Sequence, residues 1–130
     1  MKLLVTIFLL VTLLGCSSSS SKNEGKGTKG FLSFTEKVHN FGTIKHGDVV
    51  GYQFSCVNTG TEPVRILDVK KGCGCTDVKY PEQPVLAGDS AVVELIFDTK
   101  GWQGRQVKQV TVLTNDSVGF KELRIWADVN

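Results

Sequence analysis

The sequence predicts an all-β fold, a single antiparallel sandwich of about seven to eight strands over residues 31–130. From Phe31 onward, apolar residues recur with a period of two, which is the period of a half-buried strand, and no segment has a convincing helical period. Turn-forming sequences separate these runs at short intervals. Short alternating strands without helices are typical of two packed antiparallel sheets.

The individual strands follow from this alternation and from the turns between them. The alternation is clearest in four runs: Val50 to Cys56, Ala91 to Phe97, Val110 to Val112, and Leu123 to Val129. The turn sequences are His46-Gly47-Asp48, Asn58-Thr59-Gly60, Ala87-Gly88-Asp89, Lys100-Gly101 and Asn115-Asp116. Together they predict strands near residues 31–37, 39–45, 49–58, 64–70, 75–80, 90–98, 105–114 and 120–129.

Residues 1–15 have the features of a secretory signal peptide. A basic Met1-Lys2 start precedes an almost unbroken apolar run over residues 3–14, which is shorter than the roughly 20 residues that span a bilayer. The run ends in Leu13-Leu14-Gly15-Cys16, which resembles the bacterial lipobox. This resemblance implies that Cys16 is acylated and becomes the mature N-terminus. The alternatives are an ordinary secretory signal and a retained transmembrane helix.

Residues 16–30 are expected to form a lipidated cysteine followed by a flexible tether. The segment from Ser17 to Gly30 is rich in Ser, Gly and Lys and has no large apolar residue. Its root-mean-square reach is about 20 Å, so the domain would stay near its membrane. We therefore expect a protein of the bacterial cell envelope, held by its lipid outside the cytoplasm.

Length and charge limit the function classes. Removing residues 1–15 leaves 115 of 130 residues, enough for one domain. The chain has 15 Lys and Arg against 13 Asp and Glu, and cleavage removes only Lys2 from that count. Nucleic-acid-binding domains usually carry a clear basic excess, so no nucleic-acid partner is expected.

An ordered series of short motifs is similar to a bacterial domain of unknown function, family fifteen seventy-three, which is common in envelope lipoproteins. The resemblance covers roughly residues 34–115 and implies an immunoglobulin-like sandwich of the major sperm protein, PapD and ASH group. It implies no activity, because the family has no assigned chemistry. The motifs are Asn40 to Ile44, Gly47-Asp48, Phe54 to Gly60, Pro63 to Val69, Gly72 to Thr76, Ala87 to Asp89, and Gly104.

The cysteines are the candidates for reactivity. Lipidation of Cys16 leaves Cys56, Cys73 and Cys75, so at most one internal disulfide can form. Cys73 and Cys75 can close a local loop, bond to Cys56, exchange electrons through a strained disulfide, or bind Cu(I) as two thiolates. Two thiolates are too few for structural zinc. By its parity with Phe54, Cys56 should point into the core.

No catalytic constellation is apparent. His39 and His46 are the only histidines, and we expect both to be exposed. Trp102, between Gly101 and Gly104, is expected in a loop, either as a lid over the sandwich edge or as a contact for a partner or carbohydrate. We therefore expect a non-enzymatic binding or structural module without a cofactor, whose partner is an envelope protein or glycan.

Overall fold

The computed structural model describes residues 29–130, and the predicted signal peptide (1–15), Cys16 and most of the tether lie outside them. In this range, there is no helix with the length and apolar character needed to cross a membrane. The described residues form eight strands: β1 (Leu32–Phe34), β2 (Val38–Ile44), β3 (Val49–Asn58), β4 (Ile66–Lys71), β5 (Thr76–Lys79), β6 (Ser90–Asp98), β7 (Gly104–Thr114) and β8 (Phe120–Val129).

The strands make two four-stranded sheets, in the orders β1-β3-β6-β5 and β2-β8-β7-β4. This architecture confirms the predicted all-β immunoglobulin-like sandwich of seven to eight strands. Neighbouring strands are antiparallel except β2 and β8, which pair in parallel. The sequence did not predict this pair, because alternation reports which face of a strand is buried and carries no information on the direction of its neighbour.

The core lies between the sheets and is built from the inward-facing residues of the long strands. Phe54 on β3 and Phe97 on β6 are its largest members, each 1% exposed. Burying such a side chain contributes about 1.5–3 kcal/mol, so the alternating positions supply most of the cohesion between the sheets. The other central members include Cys56, Val93, Leu95, Val110, Val112, Leu123 and Ile125.

Three of the predicted turns have a glycine at positive φ: one has Gly88, and the other two have Gly47 and Gly101. Gly47 precedes β3 with φ of 89°, and Gly101 follows β6 with φ of 84°. A side chain is strained in this left-handed region, so the backbone path of both turns depends on glycine. The second turn directly precedes Trp102 and therefore sets where its indole lies.

A buried ion pair in the β7–β8 turn ties β1 into the sandwich. Lys121 Nζ lies 2.7 Å from Asp116 Oδ2, and the Asp116 side chain is fully buried. Asp116 also accepts the backbone N–H groups of Leu32 (3.1 Å), Val118 (2.9 Å) and Gly119 (2.9 Å). Burial alone would raise the pKa of Asp116, but these donors outweigh it and hold that pKa at about 2.

Candidate functional site

Cys73 and Cys75 are bonded to each other in the loop between β4 and β5, with their Cα atoms 5.3 Å apart. The hydroxyl of Thr76, the buried first residue of β5, lies 3.6 Å from the sulfur of Cys73 and 3.8 Å from that of Cys75. Of the pairings that the sequence left open, the structure has the local one. The loop is thus closed into a small covalent ring, and its sulfurs lie beside the first residue of β5.

Cys56 is a core residue and not a partner of this ring. Its thiol is free and fully buried on β3, and its Sγ donates to the carbonyl of Ala91 at 3.4 Å. Burial raises the pKa of the Cys56 thiol to about 11. A thiol that is neutral and shielded from solvent is a poor nucleophile, so Cys56 is not a candidate for exchange chemistry.

Trp102 lies in the loop between β6 and β7 and is half-buried against the core. The N–H of Gly101 donates to Nε2 of His46 at 3.0 Å, which fixes the loop just before the indole. The ring covers the Lys108 side chain, whose Nζ is 3.4 Å from its centroid. The indole therefore packs against the core and also forms a wall beside a buried amine.

Residues of the disulfide loop and of the Trp102 loop line one cavity. This Lys108 pocket has a volume of about 350 Å³ and is lined by Gly72, Cys73, Thr76, Trp102, Val107, Lys108 and Gln109. The sequence singled out Cys73 and Trp102 separately, and the fold places both in the lining of this cavity. It did not single out Lys108, although parity with Val110 and Val112 on β7 puts this residue on the inward face.

The environment of Lys108 is unusual for a charged residue. Lys108 is only 9% exposed, and burial lowers the pKa of its amine. The Phe97 ring lies 5.2 Å from Nζ, on the core side of the amine. Gln106 Oε1 accepts a hydrogen bond from Nζ at 3.3 Å. Lys108 is the one charged side chain among the described residues that line this cavity.

The histidines take no part in the pocket. His39 is half-buried because its ring stacks on Tyr52, with centroids 3.6 Å apart, so the expectation that it is exposed was wrong. His46 is exposed and accepts the Gly101 N–H described above. Within residues 29–130, no three His, Cys, Asp or Glu side chains are grouped so that they could hold a metal ion.

A second and larger cavity, the β1 groove, lies where edge strand β1 meets β2 and β8. It has a volume of about 510 Å³. Val38, Val118 and Phe120, each about half exposed, give it an apolar surface together with Phe31. Charged residues also line it: Lys37, Lys121, Glu122 and Arg124. The two cavities share only Gln109 among their lining residues.

Solved structures similar to this chain share its fold. A protein of unknown function from Porphyromonas gingivalis W83 aligns with a TM-score of 0.66 and 16% identity, over 76% of this chain and 46% of that one. The Vibrio cholerae VesB protease aligns with a TM-score of 0.62 and 19% identity, over 75% and 31% of the two chains. This chain thus spans about half of the first protein and a third of the second.

A human domain is similar over most of its own length. The ASH/PapD-like domain 7 of human CEP192 aligns with a TM-score of 0.63 and 11% identity, over 80% of this chain and 87% of that one. At such identities, these likenesses bear on the fold alone. No curated protein matches the chain significantly. A family model described as "Protein of unknown function (DUF1573)" matches residues 32–129. The chain therefore belongs to this family, as its motifs predicted.

Proposed function

We propose that this protein is a lipid-anchored, non-enzymatic binding module of the bacterial cell envelope, whose partner is an envelope protein that docks in the β1 groove. The observation that carries the proposal is the apolar surface of that groove. Exposed apolar side chains that line one cavity are typical of an interaction site, whereas single exposed ones are ordinary. The anchor itself is argued from residues 1–16 of the sequence, which lie outside the described residues.

The edge position of β1 favours a partner in extended conformation. β1 is the end strand of its sheet and, within residues 29–130, pairs only with β3. The N–H of Leu32 is already taken by Asp116, so an added strand would pair with the remaining backbone groups of this edge, while its alternate side chains enter the groove. Phe31 also directly follows the tether, so a partner in the groove would lie at a root-mean-square distance of about 20 Å from the lipid-bearing residue.

Site-specific photocrosslinking in living cells tests the groove. A photoreactive amino acid would replace Val118 or Phe120 in the groove, and Val49 or Leu67 as controls that are equally exposed and apolar but lie elsewhere. The proposal expects one defined envelope protein, identified by mass spectrometry, at both groove positions and neither control. Crosslinks that are the same at all four positions, or that form only within the chain, would contradict it.

Thiol–disulfide exchange is the second candidate, favoured by the closed disulfide that lines the Lys108 pocket. A thiolate of a dithiol partner would attack Sγ of Cys73, form a mixed disulfide and release Cys75 as a thiolate. The partner's second thiol would then attack the mixed disulfide, leaving Cys73 and Cys75 reduced and the partner oxidised. While bonded to each other the two sulfurs are not thiolate ligands, so the Cu(I) alternative applies only to reduced protein.

Redox titration separates exchange from a structural ring. The protein would be equilibrated with graded mixtures of reduced and oxidised glutathione, quenched with acid, alkylated and weighed by mass spectrometry. An exchanger should be half-reduced within the range of an oxidising compartment, at about −200 mV or higher. A disulfide whose midpoint potential lies below about −300 mV would instead be structural.

A further inference from the structure

Lysine occupies two inward-facing positions of the second sheet, and the two differ in their counter-charge. Lys121 on β8 and Lys108 on β7 are buried to a similar extent, 6% and 9% exposed. Lys121 contacts the buried carboxylate of Asp116 at 2.7 Å. Lys108 makes no salt bridge with any carboxylate of the described residues. The fold therefore provides a counter-charge for one buried ammonium and not for the other.

The hydrogen-bonding capacity of Lys108 is only partly used. An ammonium carries three N–H donors, and one of them reaches Gln106 Oε1 at 3.3 Å. Trp102 and Phe97 stabilise the charge through their ring faces, at 3.4 and 5.2 Å from Nζ. These rings do not replace a hydrogen-bonded counter-ion, and burying a charge without one is unfavourable.

The Lys108 pocket provides room for the missing anion. Its volume of about 350 Å³ lies at the lower end of the range for small-ligand sites, roughly 300–1,000 Å³. Lys108 gives the cavity a positive charge, and Trp102 and Val107 give it an apolar surface. We propose that this pocket binds the carboxylate of a ligand with an apolar body, which pairs with Lys108 as Asp116 pairs with Lys121.

This chemistry has two natural sources, a free organic acid and the carboxyl terminus of a polypeptide. Both present the same carboxylate to Lys108, and they differ in whether an amide-linked chain continues out of the pocket. The inference concerns a different cavity from the β1 groove and does not depend on docking there. It also does not require that the disulfide react.

Titration of the full-length chain in nonionic detergent tests the proposal. The probes are 3-phenylpropionate, 3-phenylpropionamide, and the peptide acetyl-Ala-Ala-Phe with a free or an amidated carboxyl terminus. Binding would be followed through the indole Nε1–H resonance of Trp102, assigned with a Trp126→Phe variant. We expect each acid that binds to shift this resonance saturably, with its amide binding about tenfold more weakly or worse. The probe that binds more tightly, acid or peptide, identifies the source.

Two lysine variants make the test specific. Lys108→Met keeps the length of the side chain but removes its charge, and should abolish saturable binding. Lys100→Met, an exposed lysine in the same loop as Trp102, should leave binding unchanged. Thermal unfolding without probe checks the fold. Because Lys108→Met removes an unpaired buried charge, its unfolding midpoint should be equal to or higher than that of the parent.

Three results would overturn the proposal. The first is that neither acid binds the parent chain at millimolar concentration. The second is that the amides bind as well as the acids. The third is that Lys108→Met, folded as judged by its thermal transition, binds as tightly as the parent, since the charge would then not be the recognition element.

Discussion

The buried pair in the β7–β8 turn gives the sharpest prediction on stability. We expect Asp116→Ala to destabilise the domain strongly, because it removes the acceptor of four hydrogen bonds at once. Three of them come from the backbone N–H groups of Leu32, Val118 and Gly119, and the fourth comes from Lys121. The variant leaves an ammonium and three amides without their acceptor at a buried site.

The magnitude follows from which partner is removed. Breaking a buried ion pair from one side costs about 3–5 kcal/mol, much of it from the charge left behind. The matched variant Lys121→Met leaves the Asp116 carboxylate with its three backbone donors, so its loss should be smaller, about 1–3 kcal/mol. In the double variant no charge is left unpaired, so its loss should be smaller than the sum of the two.

The pair also predicts how stability depends on pH. The folded pKa of Asp116 is about 2, below the unfolded value near 3.9, so the folded state binds this proton less readily. Its contribution of about 2–3 kcal/mol is therefore present above pH of about 4 and is lost as pH falls towards about 2. Asp116→Asn should remove that part of the acid dependence.

Urea unfolding of the three Asp116 and Lys121 variants at neutral pH, and of the parent and Asp116→Asn across the acid range, provides the measurement. An Asp116→Ala variant that loses no more stability than Lys121→Met would contradict this role of the carboxylate. So would an Asp116→Asn variant that loses stability in acid as steeply as the parent. Hydrogen exchange gives a further check, since the Leu32 amide should lose protection in Asp116→Ala.

Three further predictions concern the core, the ring and the anchor. Phe54→Ala should cost about 3–5 kcal/mol in thermal unfolding, whereas Val92→Thr on an exposed position of β6 should change stability by about 0.5 kcal/mol or less. Cys73→Ser/Cys75→Ser opens a ring of very few residues and should cost at most about 2 kcal/mol; about 3 kcal/mol or more would mean that the ring does more than staple its loop. Cys16→Ala should incorporate no fatty-acid analogue in metabolic labelling, and incorporation at the parental level would refute the lipid anchor.

The strands were predictable from sequence because their alternation is local. The third strand was expected at 49–58 and is Val49–Asn58, and the sixth was expected at 90–98 and is Ser90–Asp98. The largest error is in the first strand, expected at 31–37, which ends at Phe34. The chain leaves the first sheet there and enters the second at Val38. A crossing between sheets is a property of the tertiary fold, and alternation in one segment does not report it.

The candidate sites were less predictable because their parts are distant in sequence. Cys73 and Trp102 were each singled out for their chemistry, but only the fold brings the β4–β5 loop and the β6–β7 loop to one cavity. The pairing of Cys73 with Cys75 was one of several open alternatives. The β1 groove depends on Phe31 and Phe120, which are 89 residues apart, so no local pattern could have predicted it.

The need of the two inward-facing lysines for a partner could have been predicted from the sequence. Alternation places position 108 with Val110 and Val112, and position 121 with Leu123 and Ile125, on buried faces. A lysine at such a position requires a partner, and this requirement can be read from the sequence. For Lys121 the partner lies five residues earlier in the turn, in Asp116. For Lys108 the described residues supply two aromatic rings and one amide oxygen, but no negative charge. An anionic ligand in the pocket would supply that charge.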